Sequence, residues 1–145
     1  MIKTLALSVL AAGMLVAAPS FAQTQGTCPT AGSSANSEPA WVLFDLGSST
    51  LKADAKPTIQ KAAATAKARQ AVKVCVVGQT DKLGDKNYNA KLALARSQAV
   101  AAQLVRDGLA GDKVVIATNP EAFSNISFGE KDASEKDRRV TIIFR

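Results

Sequence analysis

The run VKVCVV at residues 72–77 is compact and β-branched, and it is separated by the polar loop GQTDKLGDK from an alanine-rich run at 87–107 that ends at Gly108. The first run suits a buried strand. The second is a helix stopped by its glycine, with Leu92, Ala95, Ala99 and Val100 inside one broad face and many small side chains that let it lie close to a sheet. A strand, a loop and a helix returning over the sheet form a unit around which the remaining segments must be arranged.

Upstream, AWVLFDLG at 40–47 rises into a short apolar strand, and 51–70, rich in Ala, Lys and Gln, reads as a helix with Pro57 tolerable near its first turn. Downstream, KVVIAT at 113–118 and RRVTIIF at 138–144 read as two further strands, separated by a polar loop at 119–137 without a clear period. The economical architecture is a two-layer α/β domain over residues 40–145, β-α-β-α-β-β, with both helices on one face of a small mixed sheet.

The chain opens with an export address: Lys3, the apolar run TLALSVLAAGMLVAA, then PSFA with small Ser20 and Ala22 at the spacing of a signal-peptidase site. Cleavage is expected after Ala22. The apolar run is too short for a membrane span, and TQGT before Cys28 does not make a lipobox, so the expected product is a soluble exported protein. Residues 23–39, QTQGTCPTAGSSANSEP, read as an irregular polar arm.

The full chain carries 18 basic and 12 acidic residues, so removing Lys3 leaves 17 − 12 = +5. A basic surface suits nucleic acid, anionic lipid or an anionic polymer. Export argues against nucleic acid, and one Trp, one Tyr and five Phe leave few platforms for base stacking. The chain has no histidine, which removes Ser-His-Asp and Cys-His catalysis and histidine-based zinc sites. Cys28 and Cys75 stand 47 residues apart, without a CxxC motif, and in an oxidising compartment they are expected to form a disulfide. Nothing in the sequence calls for a cofactor or a metal.

Arg96 has Leu92, Ala93, Ala99 and Val100 as its neighbours one helical turn away, so its own helix offers it no acid. It should meet water, a carboxylate from another element, or a bound anion. Asp81, in the loop between strand and helix, is the natural group to lie nearby. An acid and a guanidinium together suit an ammonium and a carboxylate on one ligand, the α-carbon end of an amino acid. They do not suit catalysis: glycosidic cleavage requires a matched acid and base, and Asp85 lies among Lys82 and Lys86 on an exposed loop. Trp41 and Tyr88 read as core or rim aromatics.

Thr80, Asp81, Gly84, Asn89, Leu92, Ala93 and Arg96 form T-D-x2-G-x4-N-x2-L-A-x2-R, and this pattern resembles the OmpA-like C-terminal domains that bind peptidoglycan in the bacterial periplasm. VLFDLGSSTL resembles that family's first strand and turn, and DRRVTI its final strand. The resemblance implies a non-catalytic domain that holds the zwitterionic end of meso-diaminopimelate in a stem peptide, with Asp81 taking the ammonium and Arg96 the carboxylate. Thr80 and Asn89 would add hydrogen bonds or fix the loop. Alternation along the strand lets only one of Arg138 and Arg139 readily face the pocket, and Arg138 shares its face with Val140 and Ile142.

The chain departs from the family at Gln79 for the usual His, Ala93 for a common Ser, Asp137 for the Asn before the paired arginines, and TNPEAF where a glycine-rich turn stands. The rival expectation is an exported module of the same fold that binds an envelope protein, with weak or no peptidoglycan binding.

Overall fold

A computed structural model of the chain describes residues 24–25, 28, 39–80, 84–118 and 137–145. The expected export address, most of the polar arm, Asp81 and residues 119–136 of the polar loop lie outside the described residues. The elements are β1 (Thr24–Gln25), β2 (Ala40–Leu43), α1 (Ala55–Ala68), β3 (Val74–Gly78), α2 (Lys86–Arg106), a short 3-10 turn at Gly111–Lys113, β4 (Val114–Thr118) and β5 (Arg139–Phe144).

The strands lie in the order β1-β4-β3-β5-β2. β3 runs parallel to β4 and antiparallel to β5, and β2 closes one edge antiparallel to β5. This is the β-α-β-α-β-β order that the sequence leads one to expect, with one addition. The arm is not wholly irregular: Thr24 and Gln25 pair in parallel with Val115 and Ile116 of β4. Two residues carry no periodicity, so such a strand is legible only once the edge of β4 is in place.

One face of the sheet carries the core. Val42, Val74, Val76, Val114, Ile116, Val140, Ile142 and Phe144 pack against Ile59, Ala62, Ala63 and Ala66 of α1 and Val100, Ala101 and Leu104 of α2. Because alternate residues of a strand point to opposite faces, Cys75, Val115 and Ile143 lie side by side on the other face as a second, smaller buried cluster. Cys28 packs there and is joined to Cys75 by a disulfide whose Cα atoms are 5.8 Å apart.

Gly108 ends α2 as expected. Its φ is +94°, its N–H donates to Val105 O at 3.0 Å, and the Leu109 N–H reaches back to Leu104 O at 3.0 Å. Leu104 and Leu109 are both buried, which completes the apolar contact of this helix-ending turn.

The buried face of α2 is a correction to the apolar stripe read from sequence. Its buried residues are Asn89, Ala93, Arg96, Ser97, Val100, Ala101 and Leu104, whereas Leu92, Ala95 and Ala99 are only half-buried. Hydrophobic periodicity assigns Asn89, Arg96 and Ser97 outward, but here they sit inside, and for Arg96 and Ser97 backbone carbonyls supply the acceptors.

Candidate ligand-binding site

The site is set by how closely α2 approaches the end of β3. A methyl group added at Gly78 would land on the Ala93 carbonyl oxygen and on Ser97 Oγ, far inside van der Waals contact. A glycine in a strand commonly marks such an approach. Ser97 fits the narrow gap, its hydroxyl shared between Ala93 O at 3.1 Å and Ala117 O at 3.4 Å. Gly78→Ala is therefore expected to destabilise the protein by about 2 kcal/mol or more, since two backbones must part; urea unfolding of the variant checks this.

That approach carries Arg96 into the interior, where it is 0% exposed. Its Nε donates to Ser48 O at 2.8 Å, Nη2 to Asp45 O at 3.0 Å, and Nη1 to Gln79 O at 3.3 Å. The guanidinium also lies 5.3 Å from the centroid of the Phe44 ring, a cation–π distance. The expected partners were water, a carboxylate or an anion, and the structure adds backbone carbonyls. Three of the five N–H groups that a guanidinium offers are used in this way. They tie the turn after β2, which Gly47 makes with φ +64°, to the chain leaving β3.

Gln79 and Thr80 follow Gly78 and are both buried. Asp81, the next residue in the chain, lies outside the described residues. Beyond the loop, Asp85 is exposed, as expected, but it also caps a helix: it is the N-cap of α2, and its carboxylate accepts the Tyr88 N–H at 2.9 Å. An aspartate immediately before a helical run is the signal for that role. Asn89, one turn in, is buried on the same face of α2 as Arg96. Thr80, Asn89 and Arg96 are thus all placed on the interior side of the loop's two ends.

Arg138 precedes β5, is half-buried and donates from Nε to Phe44 O at 3.4 Å, so it meets the residue whose ring Arg96 covers. Arg139 lies on the opposite face, with its guanidinium 4.7 Å from the centroid of Trp41. It nonetheless reaches the same corner, because its Nε donates to Gln79 Oε1 at 2.9 Å. Sequence reasoning did not anticipate Gly78 or Ser97, and it named Gln79 and Arg139 without foreseeing the bond between them. Only Gly78, a glycine ending an apolar strand, gave a signal for its role.

Three guanidinium groups converge at this end of the sheet, a setting for anionic groups, while Asp45 is exposed and pairs with Lys52 at 3.4 Å. Among the described residues no group of three or more acids or cysteines could hold a metal ion, and no helix is long and apolar enough to cross a membrane.

Comparison with known proteins places this arrangement. Outer membrane protein A of Bordetella avium is 29% identical over 100 residues, covering 69% of this chain and 52% of that protein. The peptidoglycan-associated lipoprotein of Legionella pneumophila is 30% identical over 104 residues, covering 70% of this chain and 58% of that protein. The chain therefore spans only about half the length of these relatives. The crystal structure of the peptidoglycan-associated lipoprotein from Burkholderia pseudomallei superposes with a TM-score of 0.65 at 20% identity, over 73% of this chain and 90% of that one. The OmpA family model matches residues 43–140, from the end of β2 into β5, and the chain belongs to the OmpA family.

Proposed function

We propose that the domain binds peptidoglycan in the periplasm without performing chemistry, by holding the zwitterionic end of a meso-diaminopimelate stem peptide. The observation that carries this reading is Arg96: a buried guanidinium at the head of the loop that bears Thr80 and Asp81, on one helix face with Asn89. Relatives named for an association with peptidoglycan, or as outer membrane proteins, support it. In this reading Asp81 accepts the ligand ammonium, Arg96 takes part in holding its carboxylate, and Thr80, Asn89 and Arg138 complete the site.

Asp81→Asn is the discriminating variant, because asparagine suits a turn as aspartate does and leaves the carbonyls around Arg96 untouched. Titration with soluble stem peptides ending in diaminopimelate should show binding weakened about tenfold or more, with an unchanged melting curve, since a charge-assisted hydrogen bond is lost. Equal affinity in the folded variant would overturn the clamp.

A second reading is an envelope-protein interaction module. It is favoured by Trp41, Leu43 and Leu46, large apolar side chains left exposed along edge strand β2 and the turn after it. Sedimentation with purified sacculi separates the two readings.

A further inference from the structure

Gln79 is held from both sides of the sheet. Its backbone carbonyl accepts Arg96 Nη1 from the helix face, its N–H donates to Arg139 O at 2.9 Å, and its side-chain Oε1 accepts Arg139 Nε from the opposite face. Arg139 in turn lies over Trp41. Trp41, Arg139, Gln79 and Arg96 therefore form a continuous chain through the sheet, from an exposed indole to the buried guanidinium. Gln79 is 5% exposed and directly precedes Thr80, also 5% exposed, so the direction in which the chain leaves β3 is set where these contacts meet.

We infer that Gln79 is a positioning residue for the ligand site: through Arg139, braced on Trp41, it fixes the placement of Thr80 and of the carbonyl that receives Arg96. The inference rests on the binding reading above for its functional consequence, but the coupling itself is a separate, measurable property. The amide suits this position because its oxygen is a permanent acceptor. The charged groups facing it are the guanidinium of Arg96 from α2 and that of Arg139 from β5, and Asp81 is the nearest acid along the chain. A titratable acceptor bonded to the Arg139 guanidinium would fail when protonated, whereas glutamine does not titrate.

Gln79→His tests this. A neutral imidazole can accept from Arg139, and an imidazolium cannot and is repelled by it. Trp41 is the only tryptophan, so its emission reports on the guanidinium above it. Wild-type emission should be flat between about pH 5 and 7.5, and that of Gln79→His should change with a midpoint below the ordinary histidine value of about 6.5, because the flanking cations favour the neutral form. Stem-peptide affinity of the variant should fall about threefold to tenfold through the same midpoint, the scale of one hydrogen bond, while Gln79→Ala should be weak at every pH.

A pH-independent Trp41 emission in folded Gln79→His overturns the coupling. Emission that titrates while affinity stays constant overturns the positioning role. If wild type itself binds no stem peptide, the binding reading fails, and the emission titration alone then decides whether the coupling exists.

Discussion

Replacing both Cys28 and Cys75 by alanine lowers the unfolding free energy by about 4 kcal/mol, the chain-entropy value for opening a loop of this length. The bridge closes a separation of 47 residues and joins the arm to the central strand of the sheet. Most of the effect lies in the unfolded chain, which loses a constraint. The slope of stability against urea should therefore rise as the midpoint falls, and the melting temperature should drop by roughly 15 °C. Wild type under reducing conditions should match the double variant, and the double variant should ignore reductant. A change of less than about 1 kcal/mol would mean that the unfolded chain is already compact around these residues.

Arg96→Ala is expected to cost about 3 kcal/mol of stability, because the Gln79 carbonyl loses its donor in the interior, at about 1–3 kcal/mol for a buried group left unpaired, and the part-buried carbonyls of Ser48 and Asp45 lose theirs at a smaller cost, with the packing of the side chain against Phe44 lost as well and relief of burying the cation offsetting part of the total. Arg96→Lys recovers less than half of the loss, since an ammonium cannot span three acceptors as a planar fork does. Urea unfolding measures both. Binding losses in Arg96 variants consequently mix fold with recognition. Near-wild-type stability of Arg96→Ala would show that water replaces the guanidinium freely.

The large elements were legible because each has a simple local cause. VKVCVV is too β-branched for a helix and too apolar for a surface strand, and 87–107 carries helix formers up to a terminating glycine. The spaced Thr80-to-Arg96 pattern pointed to a loop whose two ends carry buried polar side chains, Thr80 on one and Asn89 and Arg96 on the other. What the residues did not show was where Arg96 sends its N–H groups. Ser48, Asp45 and Gln79 contribute through backbone oxygens, which every residue possesses, so no choice of side chain announces them. The buried face of α2 escapes apolar periodicity for the same reason, since carbonyl acceptors make polar side chains welcome where that periodicity excludes them. Strand alternation points Arg139 away from the site, and it reaches back through the side chain of Gln79.

β1 is two residues long, too short to persist as a free segment against the edge of β4. Cys28 lies three residues beyond Gln25, so the bond to Cys75 makes the pairing of β1 an intramolecular event at an effective concentration of about millimolar or above. Any other strand seeking the β4 edge must outcompete a partner that cannot diffuse away. A crosslink on one face of the sheet thus acts as a concentration device for its edge, where an unoccupied β4 would offer a template for pairing with another chain.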